Sequence, residues 1–186
     1  MPAQEILEIK FIARAGQGAK TAAQILAEAA LAQNLHFQAF PQFGPERRGA
    51  PVSAFVRLSQ EPILLHSQIE VPDITVVLEP SLLATAQTAK PTILVVNSDR
   101  ETHTGDKIYP LDASKIAHFF LGKNFPNLVM VGALIAVVEK EYPQFEIKLD
   151  NAAEIVRVKL TTKWGKDMTE KNIAAMERGY EEMKQQ

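Results

Sequence analysis

The segment at residues 14–18 carries residue types that could bind an anion. It reads Arg-Ala-Gly-Gln-Gly and stands between a β-branched, aromatic run and an Ala-rich run, which predicts a strand, a tight loop and a helix. In such a unit, backbone N–H groups and the helix N-terminus converge on one point. Arg14, Gly16, Gln17 and Gly18 are therefore candidate binding residues for a phosphate-bearing ligand. The alternative is that the glycines only allow the turn and close packing of the helix on the sheet.

A second candidate lies in residues 45–51, which begin and end with proline. This segment presents Glu46, Arg47 and Arg48. Guanidinium groups bind planar oxyanions through paired hydrogen bonds, so the two arginines suit a phosphate or a carboxylate. A surface turn in which Glu46 pairs with an arginine is the simpler interpretation. The rigid frame and the neighbouring aromatic residues favour contact with a ligand or a partner chain.

Two phosphate-binding motifs do not fit the loop. A P-loop has Gly-x-x-x-x-Gly followed directly by Lys, but here Ala13 holds the first position and Lys20 comes one residue late. A dinucleotide fingerprint, Gly-x-Gly-x-x-Gly, has the correct spacing, but Ala13 and Ala15 replace its first two glycines and their methyl groups hinder a pyrophosphate. The acidic residue expected about 20 residues later is also missing. NAD binding is therefore not expected.

Other reaction chemistry is not indicated by the sequence. The four histidines lie far apart, and the sequence contains no nucleophile elbow, zinc-protease motif or catalytic carboxylate pair. Because the chain has no cysteine, it can form no disulfide and supplies no thiolate for an iron–sulfur cluster or a structural zinc site. We expect neither a catalytic residue nor a metal ligand in this chain.

Composition limits the kinds of partner that the chain can bind. Its 20 basic and 22 acidic side chains leave a formal net charge of −2, which favours neither nucleic acid nor an anionic membrane. No apolar run approaches the length that spans a bilayer, and the first residues do not resemble a secretory signal. We expect a cytoplasmic protein that binds neither nucleic acid nor a membrane.

The spacing of apolar residues predicts the elements that must position these candidates. Strands are predicted at residues 6–12, 35–40, 52–58, 73–78, 92–96 and 107–110, with a short partner strand at 63–65. Helices are predicted from about residue 18 to a stop near 34, then at 81–88, 112–121, 128–139, 151–160 and from 168 onward. Pro41 is expected to end the second strand, and Asp112 to cap a helix. The alternation predicts one α/β domain over residues 1–186, Rossmann-like, with a largely parallel central sheet flanked by helices.

Two stretches of the sequence resemble a known family. Residues 12–18, Ile-Ala-Arg-Ala-Gly-Gln-Gly, and the following Thr-Ala-Ala-Gln-Ile-Leu-Ala at 21–27 are similar to the opening of the gamma subunit of 2-oxoacid:ferredoxin oxidoreductases. Residues 40–52, Phe-Pro-Gln-Phe-Gly-Pro-Glu-Arg-Arg-Gly-Ala-Pro-Val, resemble the second signature of that family. Their Glu-Arg-Arg-Gly-Ala-Pro form is most similar to members that act on pyruvate and branched-chain 2-oxoacids. In the loop, where the family usually has Gly-x-Gly-Gly-Gln-Gly, this chain has Ala13 and Ala15 at two glycine positions.

The resemblance implies a complex that decarboxylates a 2-oxoacid on thiamine diphosphate, transfers the acyl group to coenzyme A and passes electrons through iron–sulfur clusters to ferredoxin. It implies that thiamine diphosphate, Mg²⁺ and the clusters belong to partner subunits, named alpha, beta and delta, and that this chain is inactive in isolation. The chain's implied role is to complete the assembly and to line the route of coenzyme A. The implied contact residues, which face either the phosphates of coenzyme A or a neighbouring subunit, are Arg14, Gly16, Gln17, Gly18, Glu46, Arg47 and Arg48.

Two other hypotheses remain open at this point. The chain could be a stand-alone Rossmann-like nucleotide-binding or regulatory module, or a purely structural subunit that binds no small molecule. The proline-framed segment with Glu46, Arg47 and Arg48 favours the gamma subunit over the nucleotide module, because a generic nucleotide module does not need it.

Overall fold

The computed structural model describes residues 5–42, 50–99 and 107–186. Within these ranges the chain forms strands β1 (Ile6–Arg14), β2 (His36–Gln42), β3 (Pro51–Ser59), β4 (Ile74–Val77), β5 (Ile93–Asn97) and β6 (Ile108–Leu111). Its helices are α1 (Ala19–Leu31), α2 (Leu83–Thr88), α3 (Ala113–Leu121), α4 (Asn127–Glu141), α5 (Leu149–Trp164) and α6 (Lys166–Lys184), with a 3₁₀ turn at Pro80–Leu82 before α2. The predicted α/β class is confirmed.

The strands form one sheet in the order β2-β3-β1-β4-β5-β6. The neighbouring pairs β1–β4, β4–β5 and β5–β6 are parallel, whereas β3 runs antiparallel to both β1 and β2. The chain leaves β1 toward one edge of the sheet through β2 and β3, and then continues on the other side of β1 at β4. In open α/β sheets, such a reversal opens a crevice outside the carboxyl ends of the strands. The topology therefore predicts a binding crevice at the carboxyl ends of β1 and β4.

One face of the sheet carries most of the helical packing. Alternate residues of β1, among them Leu7 and Phe11, are buried in a large core shared with α1, α3, α4, α5 and α6. Helix α4 contacts α1, α6 and β5 and is buried along most of its length, as expected for a helix that is apolar on every side. None of the helices that the structure describes combines the length and apolar character needed to cross a bilayer.

The other face of the sheet is covered less completely. Leu82 and Ala86, from the 3₁₀ turn and α2, pack there on Val77, Leu94 and their neighbours in β4 and β5. Among the described helices, none packs on the part of this face that β1, β3 and β2 form. Described helices therefore pack on both faces of the sheet at β4 and β5, but on only one face at β1, β3 and β2.

Two local predictions were wrong, and both concern the β2 edge. Strand β2 continues through Pro41, which aligns with Ala54 of β3, because proline is tolerated on an edge strand that need not donate a bond to a further neighbour. Residues 63–65 form no strand. Instead, the carbonyl oxygens of Ile63 and Leu65 accept hydrogen bonds from Gln38 Nε2 at 3.3 and 3.0 Å.

The predicted signals at the start of α3 and after the end of α1 are confirmed. Asp112 caps α3, since its Oδ1 accepts a hydrogen bond from the Lys115 N–H at 2.8 Å. Asn34 adopts the left-handed conformation (φ 62°) in the turn that follows α1. The β1–α1 unit is therefore bounded as its residue types predict.

Candidate functional site

The loop between β1 and α1 lies at the reversal point of the sheet. Gly16 (φ 94°) and Gly18 (φ 82°) both have the left-handed conformation that favours glycine. The Gln17 N–H donates to the Arg14 carbonyl at 3.1 Å, which closes the turn. The Ala15 N–H donates to the Ala50 carbonyl at 3.1 Å, so the loop is also attached to the start of β3.

A ring of polar side chains joins this loop to the segment after β4. The Gln17 side chain accepts from the Arg14 N–H at 2.8 Å and donates from Nε2 to Glu79 Oε2 at 2.7 Å. Arg14 Nη2 donates to Ser81 Oγ at 2.9 Å, and Ser81 Oγ donates to Glu79 Oε1 at 3.2 Å. The four side chains therefore span the crevice between β1 and β4, with a carboxylate at its mouth.

The start of α1 packs directly against the start of α4. A Cβ atom on Gly18 would lie 2.6 Å from Asn127 Nδ2 and 3.3 Å from Phe125 Cζ, so glycine is required there for space as well as for conformation. Asn127 is fully buried, and its side-chain nitrogen and oxygen have no hydrogen-bond partner in the described structure. Two helix N-termini and an unsatisfied amide thus meet at one place, and helix N-termini attract negative charge.

The structure brings together four of the seven residues proposed from the sequence. Arg14, Gly16, Gln17 and Gly18 form the loop, whereas Glu46, Arg47 and Arg48 lie outside the described residues. In the sequence, Ala50 is the first described residue after the arginine pair, and its carbonyl accepts the hydrogen bond from the loop.

Three residues of this site were not proposed from the sequence. They are Glu79, Ser81 and Asn127. The available signal for Asn127 was a lone amide at the head of the apolar run Leu-Val-Met-Val. For Ser81 the sequence offers no comparable signal, because its role depends on Arg14, which lies 67 residues away.

Metal chemistry finds no support in the described ranges. They contain no group of three or more His, Cys, Asp or Glu side chains placed to hold a metal ion. Together with the lack of cysteine in the whole sequence, this means that the residues present do not fit an iron–sulfur cluster.

The fold and this loop define a Rossmann-like α/β protein whose crevice at the sheet reversal is bridged by its own polar side chains. Comparison with known proteins is more specific. A family model described as pyruvate ferredoxin/flavodoxin oxidoreductase matches residues 8–182. The chain belongs to this family.

Two relatives match the chain over almost its full length. Pyruvate synthase subunit PorC of Thermotoga maritima is 36% identical, over 98% of this chain and 97% of its own. The pyruvate/ketoisovalerate oxidoreductases common subunit gamma of Pyrococcus furiosus is 37% identical, over 95% of this chain and 96% of its own. The resemblance stated from the two sequence signatures is confirmed.

Solved structures agree with the fold. The crystal structure of pyruvate oxidoreductase subunit PORC from Thermotoga maritima superposes with a TM-score of 0.78 at 32% identity, covering 96% of this chain and 97% of that one. The 2-oxoglutarate:ferredoxin oxidoreductase of Magnetococcus marinus gives a TM-score of 0.76 at 16% identity, covering 98% of this chain but 32% of that one. The second likeness concerns the fold alone.

Proposed function

We propose that this chain is the gamma subunit of a 2-oxoacid:ferredoxin oxidoreductase, with pyruvate as the preferred 2-oxoacid. The complex oxidatively decarboxylates the 2-oxoacid to acyl-CoA and CO₂ and reduces ferredoxin. The observation that carries the proposal is the near-complete match to relatives named as pyruvate synthase subunits, at 36–37% identity. Residues 1–186 act in it as a single domain.

In the proposed complex, the redox chemistry takes place in the other chains. Thiamine diphosphate, Mg²⁺ and the iron–sulfur clusters are held by partner subunits, equivalent to alpha, beta and delta, and ferredoxin accepts the electrons of the cytoplasmic complex. This division is supported by the composition of the chain, which has no thiolate to ligate a cluster. The role left to the chain is to complete the assembly and to contact coenzyme A.

Native mass analysis tests the subunit assignment. We expect the chain purified from its source to be accompanied by larger chains that carry thiamine diphosphate and cluster absorbance. Isolated from them, it should show no cluster absorbance and no 2-oxoacid oxidation. Activity of the isolated chain, or a stable monomer that ignores those chains, would overturn the assignment.

For coenzyme A, the proposed contact is the junction of α1 and α4. The partial positive charge of the two helix N-termini, which meet beside the buried Asn127 amide, favours a phosphate group there. Arg14 adds a positive charge at the crevice, and Glu79 opposes it. Arg14 should therefore strengthen the binding of coenzyme A, and Glu79 should weaken it.

Substitutions of this charged pair provide the test. In the assembled complex, we expect Arg14→Gln to raise the KM for coenzyme A about fivefold, as for the loss of one charge-assisted contact. Glu79→Gln should lower it about threefold, because a like charge near the phosphates is removed. The KM for the 2-oxoacid should stay unchanged in both variants. Arg48→Ala belongs in the same titration, since an unchanged KM would remove Arg48 from the site.

The opposite changes in KM distinguish direct contact with coenzyme A from a general distortion of the loop. If both variants raise the KM, the polar ring acts only by holding the loop in shape. If neither changes it, coenzyme A does not contact this crevice.

A further inference from the structure

The part of the sheet that no described helix covers carries aromatic and cationic side chains, of which Phe55 and Arg57 are buried while Lys10 and Phe40 are half-buried. Lys10 Nζ lies 5.7 Å from the centre of the Phe55 ring, and Phe55 stacks on Phe40 with ring centres 5.5 Å apart. Arg57 Cζ lies 5.7 Å from the centre of the Phe40 ring. These four residues, on β1, β2 and β3, are called the open face. Lys10, Phe55 and Phe40 are aligned across β1, β3 and β2 and therefore share a face of the sheet, and Arg57, two residues after Phe55 on β3, lies on the same face.

The two cations of the open face differ in how their charge is balanced. Arg57 is paired with Glu8, whose Oε1 lies 2.7 Å from Arg57 Nε. Lys10 has no carboxylate partner within the described ranges. Burial lowers the pKa of Lys10, which reflects the loss of water around its ammonium group without a compensating anion. Within the part of the chain that the structure describes, the open face therefore presents a half-buried cation without a counter-charge.

An irregular segment beside the open face exposes apolar side chains. This segment, residues 61–71, is called the strap. Leu64 is 80% exposed, Leu65 44% and Val71 62%. The strap is nevertheless held in place, since Gln38 Nε2 donates to two of its carbonyls and Arg57 Nη2 donates to the Ser67 carbonyl at 2.8 Å. A segment fixed in this way loses little conformational freedom when it binds a partner.

A groove separates the strap from strand β2. Its volume is about 490 Å³, and its lining includes Phe37, Phe40, Leu65 and His66. The groove continues into the open face through Phe40. Apolar side chains in the groove and on the strap are thus contiguous with the unpaired cation.

We propose that the open face and the strap together dock one segment of a partner subunit, which places apolar side chains against Phe40 and Leu64 and a carboxylate on Lys10. This inference rests on the proposed function, since it needs a partner subunit. The charge argues for an acidic segment. Among the described residues, two carboxylates beside this face are engaged, Glu8 with Arg57 and Asp73 with the Glu8 N–H at 2.8 Å.

Hydrogen exchange locates the interface. Comparing the assembled complex with the isolated full chain, we expect slower exchange on assembly in peptides covering residues 36–42 and 61–71. Unchanged exchange in both, with protection elsewhere, for example over α3, would overturn the proposal. Concentration-dependent dimerisation of the isolated chain that protects the same peptides would also overturn it, because the occupant would then be a second copy.

Substitution of Lys10 tests the charge. Lys10→Met should weaken association with the partner subunits about tenfold, and Lys10→Glu about thirtyfold, as for loss and reversal of one desolvated ion pair. Lys148→Met serves as the control and should leave association unchanged, since Lys148 is exposed at the start of α5, away from the open face.

The stability of the isolated chain separates docking from folding. Lys10→Met should unfold at the same or a higher denaturant concentration than the wild type, because an unpaired half-buried charge is removed. A variant that is as stable as the wild type and assembles equally well would contradict the role of Lys10 while leaving the subunit assignment intact. Failure of the wild type to find any partner would instead count against the proposed function.

Discussion

Gly132→Ala should destabilise the isolated chain by about 3 kcal/mol or more. Gly132 lies within α4, where it faces α6, and an added Cβ would be 2.0 Å from the carbonyl oxygen of Met176. Gly179 makes the reciprocal contact, since its Cβ would be 2.4 Å from the Val129 carbonyl oxygen. The obstructing atoms belong to the backbones of two packed helices, so no side-chain rotation can relieve the clash. Denaturant unfolding followed by circular dichroism measures the effect.

Local propensity makes the opposite prediction for the same change. In a helix interior, alanine is more favourable than glycine by about 1 kcal/mol, so an unpacked Gly132 would be stabilised by the substitution. The sign of the measured change therefore decides whether the α4–α6 contact is as close as the structure has it. Unchanged or increased stability would contradict that close contact.

Gly122→Ala is the matched control for this experiment. Gly122 ends α3 in the left-handed conformation (φ 67°), and an added Cβ would meet no atom within 4 Å. Its cost should therefore be limited to the backbone strain of alanine at positive φ, about 1 kcal/mol. If Gly122→Ala lowers the free energy of unfolding as much as Gly132→Ala does, close helix packing is not the cause of the loss of stability at Gly132.

Arg57→Met should destabilise the chain by about 2–3 kcal/mol. The Arg57 side chain is only 1% exposed and donates hydrogen bonds to Glu8, Gln38 and the Ser67 carbonyl. Methionine retains most of the buried volume, so the loss reports the hydrogen bonds and the ion pair rather than a cavity. The effect stays below the largest values for buried pairs, because the Glu8 side chain is 25% exposed and regains water.

Limited proteolysis of the strap provides a second measurement on the Arg57→Met variant. Arg57 Nη2 holds the Ser67 carbonyl, so its removal should make residues 61–71 more sensitive to limited proteolysis under native conditions. Arg157→Met is the control, since Arg157 pairs with Glu170 at 2.9 Å but both side chains are over 40% exposed. That exposed pair should contribute little to the stability of the chain, because water screens both charges. Equal effects of the two substitutions would contradict the importance of burial at Arg57.

The elements of this fold were largely predictable because each depends on neighbours in the sequence. The buried run at β4, the capping carboxylate of Asp112 and the two glycines after β1 are local signals, and the structure confirms all three. Residues 52–58 alternate in a pattern typical of a half-buried strand. In fact Ala54 to Ser59 are all buried, because Arg57 and Ser59 lie under the strap and its flanking turn on the second face.

The candidate site was predictable only in part. The loop residues Arg14, Gly16, Gln17 and Gly18 follow from one local motif. Glu79 and Ser81 join them across more than 60 residues of chain. That contact requires β1 and β4 to be neighbours, which depends on strand order. Strand order is in turn decided by how α1, β2 and β3 pack, and no local spacing encodes it.

By itself, the sequence determined the alternation of strands and helices, the family and the lack of cluster ligands, because these depend on residue types and short spacings. The tertiary structure alone decided the antiparallel insertion of β3, the contact of Gly132 with α6 and the position of Lys10 on a sheet face that no described helix covers. These features join residues far apart in the chain, and the free energy that selects them arises only when whole elements pack together.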